Sequence, residues 1–442
     1  MDIIIAGAGT VGFKLAQTLS QKHNIVLIDQ NRQTLQTIAN MLDIMTIEGH
    51  IEDPDIYKPF VGQEYDIFIA VTDSDEANIL STLIVDDIID VEKKIIRLRN
   101  PYFAKSSIAS RLGITEAIFP FSFSAKAIFE LLDFPKANNV KSFEPFFNAK
   151  LISVQSEIEE ELDIEQIKSQ FAIVAGIERE KNFFIPKGNE KIKKNDLIYL
   201  FGRSKDLKQL CKKLNTTAPE EIEKVAIFGA GVLGIELAKL FIKKDLSVKI
   251  IDESERRCKK AALELLNDAT IINSRFHERT IYEEEQLSNA DMVIATSDND
   301  EDNIIRCLEA KEYGIKKSVA INNNVDFYDL MHKLGIVAVR GPKMTTFYKI
   351  LETILSNDYI QEKQFCGGRG TILMRKIKEQ SKILEKEIKA INDENILSLL
   401  IRNEQIFFLD HIQKTKLQAN DTIVLFLPTK LEEQAKRWIE DL

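Results

Sequence analysis

Apolar runs and amphipathic stretches alternate along the first part of the chain. Asp2 to Ala6 is a short apolar run, Val11, Leu15, Ala16 and Leu19 recur at helical spacing, and a second run ends at Asp29. The pattern predicts strand, turn, helix, strand, with the turn carried by Gly7-Ala8-Gly9-Thr10-Val11-Gly12. A helix over Asn31 to Asn40 follows, with Asn31 as its cap. Strands are predicted at Ile44 to Ile47, Asp66 to Val71 and Ile95 to Leu98, with a short one at Ala117 to Phe119. Helices are predicted from near Ala77, from Pro101 to about Leu112, and over Ser124 to Leu132, which leaves the sheet with an apolar face to cover. Strands alternating with helices of these lengths predict an α/β, doubly wound parallel sheet.

Residues 148–213 change character. Short strands are predicted at Lys150 to Gln155, Ala172 to Glu178, Phe183 to Ile185 and Leu197 to Phe201, around one helix near Ile164 to Ser169. After a polar linker, Asn215 to Glu223, the first pattern restarts: a run Val225 to Phe228, the turn Gly229-Ala230-Gly231-Val232-Leu233-Gly234, and a run Ser247 to Asp252. Gly229 follows Gly7 by 222 residues and Asp252 follows Asp29 by 223, an offset too constant for chance. Strands at Thr270 to Ile272, Asp291 to Ala295 and Ser318 to Ile321 continue the copy, a long helix runs to Tyr313, and Lys343 to Leu355 mirrors the departing helix. The expectation is two Rossmann-like sheets, each followed by a small β-rich α+β module, with domains at 1–135, 145–215, 223–356 and 365–442.

The glycine turns point to a nucleotide. Gly7 permits a tight turn, Gly9 leaves room for a pyrophosphate, and Gly12 lets the helix lie close to the sheet. The helix N-terminus offers unpaired N–H groups and a positive dipole end. Asp29 stands where a carboxylate accepts hydrogen bonds from a ribose diol and repels a 2′-phosphate, so NAD(H) or an adenine nucleotide is expected over NADP(H). Thr72 and Asp73, at the carboxyl end of a strand, are placed to face that ligand. Ser74 and Asp75 either join them or cap the next helix. Arg97 and Arg99 share a strand face, reaching either a phosphate or nearby acids. In the second copy Asn273-Ser274-Arg275-Phe276 stands where the first has Gly49-His50, and Ala320-Ile321-Asn322 offers nothing like Arg97. The two sites are therefore expected to be unequal, the first the tighter, unless Arg275 or Arg279 substitutes.

Composition narrows the classes. With 44% apolar residues each half can build a core, and a net charge of −10 without a clustered Lys/Arg face argues against nucleic acid. The four cysteines are far apart, so neither a zinc site nor a disulfide framework is expected. The acidic run Glu157 to Glu161 lacks the spacing of a calcium loop. No apolar stretch approaches 18 residues and the first strand begins at the N-terminus, so neither a membrane span nor a signal peptide is expected. The histidines, His23, His50, His277, His332 and His411, join no recognisable acid–base constellation. His23 is expected in a surface turn, His332 on a helix and His411 on a strand. An NAD-dependent oxidoreductase is the main alternative, and a cytosolic ligand-binding protein without a membrane partner a third reading.

The glycine turn, Asp29, Gly49-His50, Ile69 to Asn78 and Arg97-Leu98-Arg99, in that order, resemble the regulator-of-potassium-conductance (RCK/KTN) family. The small β-rich modules resemble its C-terminal module, and the resemblance covers nearly the whole chain. It implies a non-enzymatic gating ring, a homo-oligomer of two to four chains. The ring would sit on the cytoplasmic face of an integral membrane potassium-transporting subunit, with NAD(H), or alternatively ATP/ADP, as regulatory ligand. Carried over by motif, the nucleotide contacts fall on Gly7, Ala8, Gly9, Thr10, Val11 and Gly12, on Asp29, Thr72 and Asp73, and on Arg97. In the second copy they fall on Gly229, Ala230, Gly231, Val232, Leu233 and Gly234, on Asp252, and on Thr296 and Ser297.

Overall fold

The structure is a computed structural model that describes residues 1–440, apart from 106, 144–148, 170, 267, 275–280, 356–359, 380–382, 404 and 410–411. It divides into two compact units: Met1–Ser124 with Arg340–Thr353, and Ala125–Val339 with Ile354–Leu442.

The first unit runs β1 (Asp2–Ala6), α1 (Thr10–Leu19), β2 (Asn24–Asp29), α2 (Arg32–Ala39), β3 (Met45–Glu48), β4 (Glu64–Ala70), α3 (Asp75–Ile88) and β5 (Asp90–Arg97). Two short helices, α4 (Pro101–Lys105) and α5 (Ile108–Arg111), replace the single helix expected there, before β6 (Glu116–Ile118). The sheet is parallel, in the order β3-β2-β1-β4-β5-β6. Strand order reverses between β1 and β4, which opens a crevice beyond their carboxyl ends. Ile3, Ile4, Ile5 and Ala6 are fully buried. A strand covered on both faces reads as a continuous apolar run rather than an alternation. Asn31 caps α2 as expected, accepting from the Thr34 N–H at 3.0 Å. A late segment of the chain completes this unit: the Lys14 ammonium lies 3.4 Å from Met344 Sδ, and the Thr353 hydroxyl donates to Glu116 at 2.7 Å.

The second unit takes up the end of α6 (Pro120–Phe129), then β7 (Asn139–Ser142), β8 (Lys150–Gln155), β9 (Leu162–Asp163), β10 (Ala172–Arg179), β11 (Asn182–Phe184), β12 (Lys191–Ile192), β13 (Leu197–Gly202) and α7 (Ser204–Leu214). These strands form an antiparallel sheet, β11-β10-β13-β8-β7, and a small ribbon, β12-β9. The repeat follows: β14 (Lys224–Phe228), α8 (Val232–Ile242), β15 (Ser247–Asp252), α9 (Glu255–Leu265), β16 (Thr270–Asn273), α10 (Ile281–Glu284), β17 (Met292–Ala295), α11 (Asp300–Glu312), β18 (Lys317–Asn322), α12 (Tyr328–Lys333) and β19 (Val337–Arg340). Its order, β16-β15-β14-β17-β18-β19, copies the first sheet strand for strand. After α13 (Pro342–Leu355) come β20 (Ile360–Phe365), β21 (Gly370–Lys376), β22 (Glu387–Ile388), β23 (Leu397–Arg402), β24 (Gln405–Phe408), β25 (Thr415–Lys416), β26 (Thr422–Pro428) and α14 (Glu432–Glu440).

The two β-rich modules share one core. Phe143 and Phe201 of the first meet Phe365 and Phe426 of the second, with the Phe201 and Phe426 rings 5.1 Å apart, edge to face. The second module also buries a cluster of its own, in which Leu373, Leu400, Ile423 and Leu425 pack with Ala435 and Ile439 of α14. Among the described residues no helix is long and apolar enough to cross a membrane.

Candidate functional site

The first glycine turn is built by backbone requirements. Gly7 has φ +110°, and a Cβ there would lie 3.0 Å from the Thr72 methyl. A Cβ on Gly12 would sit 1.8 Å from the Gly7 carbonyl oxygen, so α1 approaches the turn more closely than any side chain allows. Above Gly9 nothing lies within 4 Å of the Cβ position. Ala8 and Val11 are buried, so only their backbone groups remain for a ligand, while Gly9 and Thr10 are exposed. Asp29, half-buried at the end of β2, accepts from the Ala8 N–H at 2.6 Å and from the Asn31 N–H at 2.8 Å. The same carboxylate thus holds the turn in place and still reaches solvent.

Asn78, in the first turns of α3, braces the end of β4. Its Oδ1 accepts from the Thr72 N–H at 3.0 Å and hydroxyl at 2.7 Å, and its Nδ2 donates to the Thr72 and Arg97 carbonyls at 3.1 and 2.9 Å. Ser74 is the cap of α3, accepting from the Ala77 N–H, so the helix begins at Asp75 rather than near Ala77. Asp75 is buried and accepts from the Arg99 and Asn100 N–H groups, both at 2.7 Å. Of the two destinations open to Arg97 and Arg99, the acid is met here: both guanidiniums reach Asp73 Oδ1, at 3.2 and 3.3 Å. Arg97 is buried, which lowers its pKa against the pull of Asp73. Asp73 itself remains exposed.

The second turn repeats this geometry and sharpens the register. Gly229 has φ +117°, a Cβ on Gly234 would lie 1.9 Å from the Gly229 carbonyl oxygen, and the Cβ position of Gly231 is open. Ala230 and Leu233 are buried and Val232 is half-buried. Asn303 takes the place of Asn78, bonding the Ser297 N–H and carbonyl and the Ile321 carbonyl, so Ser297 is the counterpart of Thr72. The Thr296 N–H bonds the Phe228 carbonyl as that of Val71 bonds Ala6, so Thr296 matches Val71, and Asp298 falls at the place of Asp73. Asp300 repeats Asp75, accepting from the Asn323 and Asn324 N–H groups. The counterpart of Arg97 is Ile321, whose carbonyl accepts from Asn303 as that of Arg97 does from Asn78, so the second copy has no charge at this place.

Two features separate the copies. Gly49 has a packing reason of its own, since a Cβ there would lie 2.5 Å from Ile56 Cγ2; Ser274 holds the equivalent place. Arg275 and Arg279, the candidate substitutes for Arg97, lie outside the described residues, as do Phe276, His277 and His411. Asp252 accepts from the Ala230 and Ser254 N–H groups at 2.7 and 2.8 Å, as Asp29 does from its neighbours. Yet Arg257 also grips it, Nε lying 2.9 and 2.8 Å from the two oxygens and Nη2 2.8 Å from Oδ1, and Asp252 is only 1% exposed. The carboxylate raises the Arg257 pKa in turn. Among the described residues no cluster of His, Cys, Asp and Glu is placed to hold a metal, and the four cysteines are free and buried. Sequence reading assigned no role to Asn78 or Asn303. The six-residue spacing shared by Thr72–Asn78 and Ser297–Asn303 is the signal that finds them.

Two parallel sheets of identical order, each with a glycine turn opposite a strand-end acid, define a tandem Rossmann-type α/β protein with paired β-rich modules. The TrkA-N domain matches residues 3–120 and 225–342 and the TrkA-C domain residues 154–215, and the chain belongs to the TrkA-N domain family. It is 28% identical over 406 residues to "Trk system potassium uptake protein trkA homolog 1" of Methanosarcina mazei, covering 88% of this chain and 98% of that one. Among solved structures it resembles the GsuK channel, with a TM-score of 0.63 and 15% identity over 100% of this chain and 79% of that one. The GsuK channel bound to NAD is matched at a TM-score of 0.61 and 16% identity, over the same shares of the two chains.

Proposed function

We propose that the chain is a nucleotide-sensing regulatory subunit of a membrane potassium-uptake system. It assembles as a homo-oligomeric ring of two to four chains on the cytoplasmic face of an integral membrane transporter subunit of the TrkH/TrkG kind. The relative from Methanosarcina mazei is named for potassium uptake, and one GsuK structure is described as bound to NAD. The observation that carries the reading is the first turn, where Asp29 stays half-exposed while it bonds the Ala8 N–H, and nothing lies within 4 Å of the Gly9 Cβ position.

NAD(H), or alternatively ATP or ADP, fits these residues. Backbone N–H groups of the turn and the N-terminus of α1 receive the phosphates, Asp29 accepts from the ribose diol, and Thr72 and Asp73 border the crevice. The chain binds the ligand without reacting it. The ligand shifts the transporter between states only by its differential affinity for two arrangements of the ring.

Reconstitution of the transporter subunit in proteoliposomes, with and without this chain and with NADH or ATP, tests the proposal. Potassium flux should change with the added chain and with the nucleotide; flux indifferent to both refutes it. Steady consumption of NADH by the purified chain with common 2-oxo acids would favour the oxidoreductase instead.

A further inference from the structure

Asn31 and Ser254 are the caps of α2 and α9, and the third helical residue after each donates its N–H to the cap side chain: Thr34 at 3.0 Å, Arg257 at 3.4 Å. The two residues therefore occupy one position in the repeat, five residues beyond the strand-end acid. In the first copy threonine leaves Asp29 half-buried and reachable. In the second, the arginine covers the acid and pairs with both of its oxygens. The rest of the second turn keeps its backbone form, and nothing lies within 4 Å of the Gly231 Cβ position, as at Gly9, although Gly231 is half-buried where Gly9 is exposed.

We propose that Arg257 is a latch that closes the second glycine turn to ribose, so that the chain takes up a single NADH or ADP, at the first turn. The proposal rests on the reading of these turns as nucleotide sites. A ribose diol can reach Asp252 only by displacing a guanidinium held in two-point, charge-assisted contact, and it offers only neutral donors in exchange. Loss of a contact of that kind weakens binding on the order of a hundredfold. Arg257 pairs with Asp252, so the latch acts on the nucleoside half of the ligand. Substituting Arg257 with threonine, the residue at the equivalent place in the first copy, should free Asp252 and add a second nucleotide.

Calorimetric titration with ADP decides it. The wild-type chain should bind about one equivalent, and Gly9→Asp, which puts a carboxylate into the open space of the first turn, should abolish binding. Arg257→Thr and Arg257→Gln should each bind one equivalent more than wild type. That gain should persist in the Gly9→Asp background and vanish when Gly231→Asp is added. Wild-type protein that binds nothing overturns the nucleotide reading and the latch with it. Wild-type protein that keeps an equivalent in the Gly9→Asp variant, and loses it on Gly231→Asp, overturns the latch alone, whatever the Arg257 variants do. Arg257 variants that gain no equivalent overturn it as well.

Discussion

Asn78 holds Thr72 through three hydrogen bonds, two to its Oδ1 and one from its Nδ2, and ties the end of β4 to the end of β5 through the Arg97 carbonyl. The crevice between β1 and β4 is thus shaped by a fully buried side chain with no free valence for a ligand. Asn303 repeats the arrangement at Ser297 and Ile321.

Asn78→Ala should destabilise the first unit by about 3 kcal/mol, because it leaves buried backbone groups of Thr72 and Arg97 without partners. That corresponds to a fall of roughly 6–12 °C in its melting temperature. Scanning calorimetry is the check, and a change below about 2 °C would show that the bonds are dispensable.

Asp29→Ala should weaken NADH or ADP binding by roughly ten- to a hundredfold, the worth of charge-assisted hydrogen bonds to the ribose. The wild-type protein should also prefer NAD(H) to NADP(H), since a 2′-phosphate would meet the carboxylate. Equal affinities for the two cofactors, or undiminished binding by the variant, would remove Asp29 from the site.

Gly9→Asp and Gly12→Asp should fail in different ways. Gly9 has extended backbone (φ −67°, ψ −172°) and free space at its Cβ, so an aspartate there should fold normally and repel phosphate. At Gly12 the Cβ would collide with the Gly7 carbonyl, so that variant should lose stability before ligand binding can be judged. Melting curves and ADP titration of the two variants separate the cases; equal melting temperatures would contradict the geometry.

His332 is enclosed, its ring 4.3 Å from that of Tyr328, with both nitrogens buried and unpartnered. Burial lowers its pKa from 6.5 to about 4, an effect that Asp329 opposes and Arg369 reinforces. Between those values the unfolded chain binds the proton and the folded chain does not, so stability is lost as pH falls from 6.5 towards 4. The loss reaches about 3 kcal/mol at most. His332→Leu should flatten the pH dependence of denaturation in this window; an unchanged slope would show that the imidazole does not contribute.

The sequence by itself determined the parallel sheets, the two glycine turns and the two strand-end acids. Each of these is set by local demands: strands buried on both faces must be apolar throughout, and a left-handed or overcrowded backbone position admits only glycine. The repeat then made Asp29 and Asp252 legible as a pair, since a constant offset preserves position within the fold. Tertiary structure decided what those side chains meet. It turned Arg97 and Arg99 towards Asp73, set Arg257 over Asp252 while leaving Asp29 reachable, and placed Arg340–Thr353 with the first unit. It also joined Phe201 to Phe426 in a core that neither β-rich module announces alone. Periodicity records which residues are buried, but a charge or a ring selects its partner through packing among elements far apart in the chain, and the same arginine can serve a ligand or a neighbouring acid until that packing is complete.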